Sequence, residues 1–405
     1  MSTDDVLAAA LAAAGLAGAR PGEAAPPPPP VVSASTVEED VPPPPAPRWP
    51  AGAATGVGSM PGEDPRESAA VVVGELPLLP SIPELPARGV GADMIGRTAA
   101  LLVDIAVEVV ASGYRVASRP GIDHRRGYDL LRGDMDAFDE ACDPVRPGWV
   151  KVQAMGPWSL AASVELHSGH KVLTDHGAVR EFAASLTDGL RAHIDEVAAR
   201  TGAAVLLQLD EPSLGAVLLG RIPTPSGYGT VGSVSDPAAK AVLRSVIEGV
   251  GVPVVLHCCA AQPPMQVLAD VGAAAIGIDA TLPAVSGPTA HPKALDALGE
   301  IWDAGVPLFL GMVPALDPNR PSNSGPVTSR MLAGRAFDLA DRLGFARERL
   351  STLAVPTPTC GLAGTSPTWA RRALELCREL GTAFTDPPDN DHDPRDDPRD
   401  ERDRD

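Results

Sequence analysis

Short apolar segments alternate with amphipathic helical patterns from about residue 52 to residue 385. Such alternation is typical of βαβ units, in which a helix crosses over between two parallel strands. The segments short enough to be strands are residues 55–59, 114–118, 149–155, 204–210, 253–259, 274–279, 307–313 and 353–356. The helical patterns between them include residues 178–200, 236–249, 293–303 and 329–343. Eight strands in this order predict an α/β fold, a single (β/α)8 TIM barrel.

The two ends of the chain have compositions that bury little apolar surface. Residues 1–51 combine an Ala/Leu-rich run with proline runs, which favour extended polyproline conformations. Residues 386–405 consist mainly of Asp, Arg and Pro. We therefore expect a disordered N-terminal tail, one barrel domain over residues 52–385 and an acidic, disordered C-terminal tail.

The net charge of −19 restricts the partners of the protein. Nucleic acids and anionic membrane surfaces attract a positive field, so neither is expected to bind. The first residues are acidic where a secretory signal would be basic, and the sequence contains no run of about 18 strongly apolar residues. We therefore expect a cytoplasmic protein without a membrane span.

A histidine and a cysteine lie two residues apart at the end of the predicted fifth strand, VPVVLHCCA. Because side chains alternate along a strand, His257 and Cys259 share one face and Cys258 points to the other. Asp279 ends the next strand, and Cys360 follows the last one. In a barrel, all four ligand-type residues would stand at C-terminal strand ends, where barrel enzymes assemble their active sites. Two thiolates, one imidazole and one carboxylate suit zinc better than magnesium or calcium.

Five motifs follow one another along the chain: GVGSMP at 56–61, KVQAMGP at 151–157, LDEPSL at 209–214, the His-x-Cys pair and the CGL turn at 360–362. In these motifs, over roughly residues 55–385, the chain resembles the catalytic barrel of cobalamin-independent methionine synthases. The resemblance implies zinc bound by His257, Cys259, Asp279 and Cys360. It also implies methyl transfer to the thiol of homocysteine, which gives methionine. Bound zinc would keep the substrate sulfur as a thiolate nucleophile.

The resemblance further implies that Ser59, Glu84 and Asp210 hold the amino acid part of homocysteine. Carboxylates suit an ammonium group, and backbone N–H groups beside Ser59 could hold a carboxylate. Two alternatives stay open at this point. Asp210 could form an ordinary salt bridge, and Glu84 stands between Pro83 and Pro86, where it could be a simple turn residue.

Two positions depart from the family pattern. Asp279 replaces a glutamate, which keeps the charge but shortens the reach towards zinc. The family's histidine that assists proton transfer to the folate is missing after the seventh strand, where Asp317 is the nearest substitute. We therefore expect Asp210 and Asp317 as catalytic residues, and either methyltetrahydrofolate or another carrier, such as a methyl-corrinoid protein, as methyl donor.

Two other functions remain as alternatives to the methyltransferase. The first is a non-catalytic barrel that binds zinc or a thiol, which the missing histidine favours. The second is an enzyme that resembles uroporphyrinogen decarboxylase, a barrel without a metal, against which the HCC and CGL motifs argue.

Overall fold

The computed structural model describes residues 49–283, 285, 292–318 and 327–387. Nearly all of the two predicted tails lies outside these residues, so the disorder predicted for the tails stays a prediction. Within the described residues, no helix combines the length and the apolar character that crossing a membrane requires.

The described residues form eight strands, twelve α-helices and three 3-10 turns. The strands are β1 Ala106–Val110, β2 Gly113–Ala117, β3 Trp149–Met155, β4 Ala204–Asp210, β5 Val254–Cys258, β6 Ala275–Asp279, β7 Leu308–Val313 and β8 Ala354–Pro358. The helices are α1 Pro65–Glu75, α2 Met94–Leu101, α3 Ile122–Cys142, α4 Pro157–Ser163, α5 His176–Thr201, α6 Leu214–Leu218, α7 Asp236–Val250, α8 Met265–Ala269, α9 Pro292–Asp303, α10 Ser329–Leu343, α11 Leu350–Leu353 and α12 Pro367–Thr385. The 3-10 turns are Pro86–Arg88, Val172–Thr174 and Arg347–Arg349.

Strands β3 to β8 form one parallel sheet in which each strand pairs with the next along the chain. This order is the order of a (β/α)8 barrel. Strands β3 and β4 have the predicted bounds, and β5 to β8 differ from the predicted bounds by one or two residues at their ends. The predicted helical patterns correspond to α5, α7, α9 and α10. The predicted α/β barrel fold is confirmed.

Two extended segments complete the ring between β8 and β3. Residues 55–59 join the β8 edge through a hydrogen bond from Thr55 N–H to Pro356 O at 3.2 Å. A parallel bridge joins residues 81–84 to β3, and another joins the two segments to each other. Both edges of the six-stranded sheet therefore have a partner, which leaves the sheet without an open edge.

The prediction of a barrel strand at residues 114–118 is wrong. Strand β2 pairs antiparallel with β1 in a two-stranded hairpin outside the ring, and residues 81–84 take the second position of the barrel. Residues 81–84 belong to the segment PSIPELP at 80–86, in which prolines interrupt the apolar pattern. Proline also lacks the N–H that a strand ladder needs, so the segment makes few ladder bonds and lacks an ordinary strand signal.

The barrel interior has an apolar floor beneath a polar layer. The floor consists of Leu206, Val255, Ala275, Phe309 and Val355, together with Trp49, Ala53 and Leu79. The polar layer consists of Gln208, Lys151 and Gln153, which are all buried. Gln208 lies two residues after Leu206 on the same face of β4, and Lys151 and Gln153 share one face of β3. The polar layer lies on the side of the floor that leads to the C-terminal strand ends.

Trp49 lies in the segment predicted as tail, yet its ring packs edge-on against Phe309 with 5.5 Å between centroids. Only 7% of Trp49 is exposed. Trp49→Ala should therefore lower the free energy of unfolding by about 3 kcal/mol, measured by denaturant titration. Tyr228→Ala is the control because Tyr228 is 95% exposed, and it should change stability by less than about 0.5 kcal/mol. Equal effects of the two substitutions would show that Trp49 does not close the floor.

Candidate metal and substrate site

The two cysteines predicted as zinc ligands meet at the C-terminal rim of the barrel. Cys259 follows β5 directly, and Cys360 lies in the turn after β8. Their Sγ atoms are 3.6 Å apart. Two sulfurs bound at about 2.3 Å to one tetrahedral zinc would lie about 3.8 Å apart. The spacing of the two thiols therefore fits two corners of a zinc site.

His257 is oriented by a carboxylate. Its Nδ1 lies 2.6 Å from Asp210 Oδ1, and both side chains are buried. An ionised carboxylate can only accept a hydrogen bond, so Nδ1 carries the proton and Nε2 keeps its lone pair. A histidine held by a carboxylate at one ring nitrogen is typical of metal sites, where the other nitrogen is the ligand. Gly277 leaves room for the ring, because a Cβ there would lie 3.1 Å from His257 Cδ2.

The two thiols affect each other's pKa in opposite directions. The hydrogen bond that Cys360 accepts from Cys259 lowers the pKa of Cys360, and the Gly361 N–H lowers it further against the effect of burial. Donation of the same bond raises the pKa of Cys259, and burial adds to the increase. Cys360 is therefore the member of the pair that ionises first, and a thiolate is the form that binds metal.

Asp279 ends β6 at the same rim, but its side chain turns back onto its own loop. Asp279 Oδ1 accepts hydrogen bonds from Thr281 N at 2.8 Å and from Thr281 Oγ1 at 2.6 Å. Across the described part of the chain, no group of three or more His, Cys, Asp or Glu side chains is close enough together to hold a metal ion. The structure thus brings together a thiol pair and a neighbouring histidine, with Asp279 turned aside.

The donor types present at this rim fit zinc by their chemistry. Two sulfurs and one imidazole nitrogen are the ligand types that zinc prefers, whereas calcium and magnesium take oxygen ligands. Cys258 does not belong to this group, because it is fully buried in the core between sheet and helices. This burial agrees with the alternation predicted for the strand.

Ser59 lies against the turn that carries Cys360. The Ser59 carbonyl accepts a hydrogen bond from Leu362 N at 2.8 Å. Gly361 contacts the Ser59 side chain so closely that a Cβ on Gly361 would meet Ser59 Oγ at 2.0 Å. The first motif of the sequence and the CGL turn therefore form one continuous part of the rim.

Glu84 is a buried carboxylate beside Ser59, to which a parallel bridge joins it. Burial raises the pKa of Glu84, Asp210 raises it further, and Arg97 lowers it. The Arg97 guanidinium lies 3.8 Å from Glu84 Oε1. Glu84 is thus unlike an exposed turn residue, and it shares an electrostatic environment with Asp210.

Asp317 lies after β7 in a loop that is attached to the Cys360 turn. Ala315 N donates to Thr359 Oγ1 at 3.2 Å, and Asp317 itself is half-buried. Residues 319–326 of the same loop lie outside the described residues. The structure therefore brings the Asp317 loop to the rim.

Sequence reasoning missed the polar layer beneath the rim. The fully buried Lys151 donates from Nζ to Val57 O at 3.1 Å, Gln153 Oε1 at 3.3 Å and Gln208 Oε1 at 2.9 Å. Burial lowers the pKa of Lys151 to about 8, although two nearby carboxylates act against the decrease. A signal was present in the sequence, because polar residues at alternate positions of an otherwise apolar strand point into the barrel interior.

Glu211, next to Asp210 in the LDEPSL motif, supports the start of α4. Its carboxylate accepts hydrogen bonds from Trp158 N at 2.9 Å, Ser159 N at 2.8 Å and Ser159 Oγ at 2.7 Å. Burial raises the pKa of Glu211 to about 7 against the effect of these bonds. Glu211 therefore fixes the loop between β3 and α4 and has a structural role at the rim.

Comparison with known proteins identifies a family to which the sequence is similar. The sequence model described as "Cobalamin-independent synthase, Catalytic domain" matches residues 52–382. No curated protein matches the sequence.

Several solved structures are similar to the chain. The B12-independent methionine synthase from Shewanella sp. W3-18-1, solved in complex with selenomethionine, is 13% identical, with a TM-score of 0.51, over 82% of this chain and 97% of that chain. A methyltransferase from Methanosarcina mazei is 16% identical, with a TM-score of 0.48, over 84% of this chain and 93% of that chain. At such identities, the likeness to the Shewanella structure supports the fold alone.

The contact between Gly156 and Glu211 can be tested by substitution. A Cβ on Gly156 would lie 2.4 Å from Glu211 Oε1, and the bonds that Glu211 accepts prevent it from moving aside. Gly156→Ala should therefore lower the free energy of unfolding by about 1–3 kcal/mol, measured by denaturant titration. The control is Gly148→Ala, where a Cβ would meet nothing within 4 Å. Equal stabilities of the two variants would contradict a fixed Glu211.

Proposed function

Because the chain belongs to the family of cobalamin-independent synthases through its catalytic domain, we propose that it transfers a methyl group to the thiol of homocysteine and forms methionine. The family makes the chain a methyltransferase of the methionine synthase type. The observation that carries the more specific proposal is the thiol pair of Cys259 and Cys360, 3.6 Å apart at the rim. His257, held by Asp210, supports it as a third ligand.

In the proposed site, Cys259, Cys360 and His257 Nε2 bind zinc. Asp279 is the proposed fourth ligand, and the one that exchanges most easily, because its Oδ1 is already engaged by Thr281. Zinc would supply positive charge that keeps the homocysteine sulfur as a thiolate at neutral pH. The remaining chemistry belongs to the side chains of the chain.

The amino acid part of homocysteine is proposed to bind Ser59, Glu84 and Asp210. Asp210 Oδ1 is occupied by His257, so Oδ2 is the oxygen proposed to accept a hydrogen bond from the ammonium group. Glu84 contributes a second carboxylate from the adjacent position of the ring. Two carboxylates beside the rim suit a cationic amino group, because hydrogen bonds between charged groups are stronger than neutral ones.

The reaction forms a carbon–sulfur bond and breaks the bond between the methyl carbon and the donor. With methyltetrahydrofolate as donor, the thiol loses its proton and N5 of the folate gains one. Asp317 is the proposed source of that proton, because its loop is attached to the Cys360 turn through Ala315 and Thr359. General acids of this kind typically contribute about 10²- to 10⁴-fold to the rate. A methyl-corrinoid protein is the alternative donor.

We propose that residues 52–385 form the catalytic domain and that residues 1–51 and 386–405 are tails, except that Trp49 packs on the barrel floor. We also propose that the protein is located in the cytoplasm. A reducing compartment keeps neighbouring cysteines such as Cys259 and Cys360 as thiols, which are the form that binds metal.

The non-catalytic alternative is based on the same site, in which Asp317 stands where the family has a histidine that assists proton transfer. A zinc- or thiol-binding barrel would bind zinc and homocysteine but would form no methionine with any donor. An enzyme that resembles uroporphyrinogen decarboxylase would not need the thiol pair. Metal content tests the second alternative, and turnover tests the first.

Purified protein is expected to contain about one zinc per chain, because thiolate and imidazole ligands bind zinc tightly. Cys360→Ser and His257→Ala should each lose most of the metal, measured by atomic emission after dialysis. Cys258→Ser is the matched control and should keep it, since Cys258 is buried on the other side of the strand. Full metal content in both ligand variants would refute the assigned site.

Methionine formation from methyltetrahydrofolate should be slow, because a carboxyl group at position 317 replaces the family's histidine. We expect a rate about 10²- to 10⁴-fold below about one turnover per second, measured by methionine release from homocysteine. Asp317→Asn should slow the reaction further and leave the zinc content unchanged. An unaltered rate in Asp317→Asn would exclude Asp317 as the proton source.

A further inference from the structure

We infer that Gln208 and Lys151 are positioning residues, which hold Asp210 Oδ1 as the acceptor that decides which ring nitrogen His257 presents to the thiols. They act through a chain of hydrogen bonds that all run in one direction towards Asp210. The inference deepens the proposed function because it concerns the same site. It depends on that proposal only for the role of His257 as a zinc ligand.

The chain starts at Lys151, whose ammonium group can only donate hydrogen bonds. Its Nζ lies 2.9 Å from the Gln208 side-chain amide. The atom of Gln208 that faces Lys151 must therefore be the acceptor Oε1, and the donor Nε2 must face the opposite way. Lys151 thus decides the orientation of the Gln208 amide, although the two orientations have almost the same shape.

The second link runs from Gln208 to Asp210. Gln208 Nε2 donates to Asp210 Oδ1 at 2.8 Å and to Val57 O at 2.8 Å. The same Asp210 Oδ1 accepts from His257 Nδ1 at 2.6 Å. If the Gln208 amide were reversed, its Oε1 would face Asp210 Oδ1, and two acceptors would repel each other.

Because the four side chains are buried, reversing a hydrogen bond in this chain would cost considerable free energy. The exposed fractions are 0% for Lys151, 2% for Gln208, 7% for Asp210 and 8% for His257. At this depth water does not replace a lost partner, and an unmade hydrogen bond costs the full desolvation of the group. The four side chains therefore have one arrangement in which every donor meets an acceptor. In that arrangement His257 Nδ1 carries the proton and Nε2 points away from Asp210.

A purely structural role for Lys151 and Gln208 makes a different prediction. Their loss would then lower stability without changing the tautomer of His257, even in a variant in which an amide replaces the Asp210 carboxylate that by itself fixes this tautomer. The tautomer of His257 in the zinc-free protein therefore distinguishes the two roles, and its measurement requires neither metal nor turnover.

The first experiment uses protein labelled with ¹⁵N-histidine, freed of zinc, at about pH 7, where an ordinary imidazole is mostly neutral and Lys151, with its pKa of about 8, is mostly protonated. The His257 signal is identified by its loss in His257→Ala. In Asp210→Asn, the introduced amide could face His257 with either its oxygen or its NH2 group. The intact Gln208 Nε2 requires an acceptor, so this variant should keep the Nδ1–H tautomer.

The double variant Asp210→Asn/Gln208→Met removes that requirement. The introduced amide can then turn its NH2 group towards His257 Nδ1, and the Nε2–H tautomer should make up at least about half of the population, since both orientations now have similar hydrogen bonding. If the double variant keeps the Nδ1–H tautomer as fully as Asp210→Asn does, the directional role of Gln208 is refuted.

The second experiment measures the zinc dissociation constant by competition with a chelator. Gln208→Met and Lys151→Met should each raise it about tenfold, the lower end of the effect known for groups that support zinc ligands. Lys171→Met is the matched control, because Lys171 donates to Ser163 O at 3.0 Å in a different part of the fold.

Both outcomes of the zinc measurement are informative. An unchanged constant in Gln208→Met and Lys151→Met, or an equal increase in Lys171→Met, overturns the inference. If Lys151→Met does not fold, Gln208→Met carries the measurement. If the wild-type protein binds no zinc, the proposed function fails, and the tautomer measurement still decides whether Gln208 and Lys151 position His257.

Discussion

Closure of the parallel sheet is the constraint on which the rest of the structure depends. Six strands alone would leave β3 and β8 as open edges, and two short segments with few ladder bonds connect them. The hydrogen bond from Thr55 N to Pro356 O makes one of these connections. Because the ring closes, the turn after β8 returns to the start of the barrel, where Gly361 lies against Ser59 and Cys360 contacts Cys259.

The closed barrel also has to accommodate a buried positive charge. An ammonium group without partners in a protein interior costs several kcal/mol. The three acceptors of Lys151 offset this cost, and two of them are the side chains Gln153 and Gln208. The same residues reach Val57 and Asp210. The polar layer thus connects the closure of the barrel to the orientation of the groups at its rim.

The sequence was sufficient where one local rule decides the outcome. Period-two alternation predicted that Cys258 is buried away from His257 and Cys259, and apolar length predicted six of the strands. It was insufficient where the outcome depends on distant or competing contacts. Trp49 is buried by residues distant in the sequence, among them Phe309. Residues 81–84 lack a strand pattern because prolines interrupt the segment at 80–86, and the turn of Asp279 follows from its bonds to Thr281.

We propose that the rim of this barrel activates a substrate thiol on zinc. Zinc-edge X-ray absorption on the purified protein tests it directly, because the spectrum counts sulfur ligands. We predict two sulfurs, from Cys259 and Cys360, and a third when homocysteine is added, since a soft metal of this kind favours thiolate ligands. A sulfur count that stays the same in the presence of bound homocysteine, or a site of nitrogen and oxygen ligands alone, would contradict it.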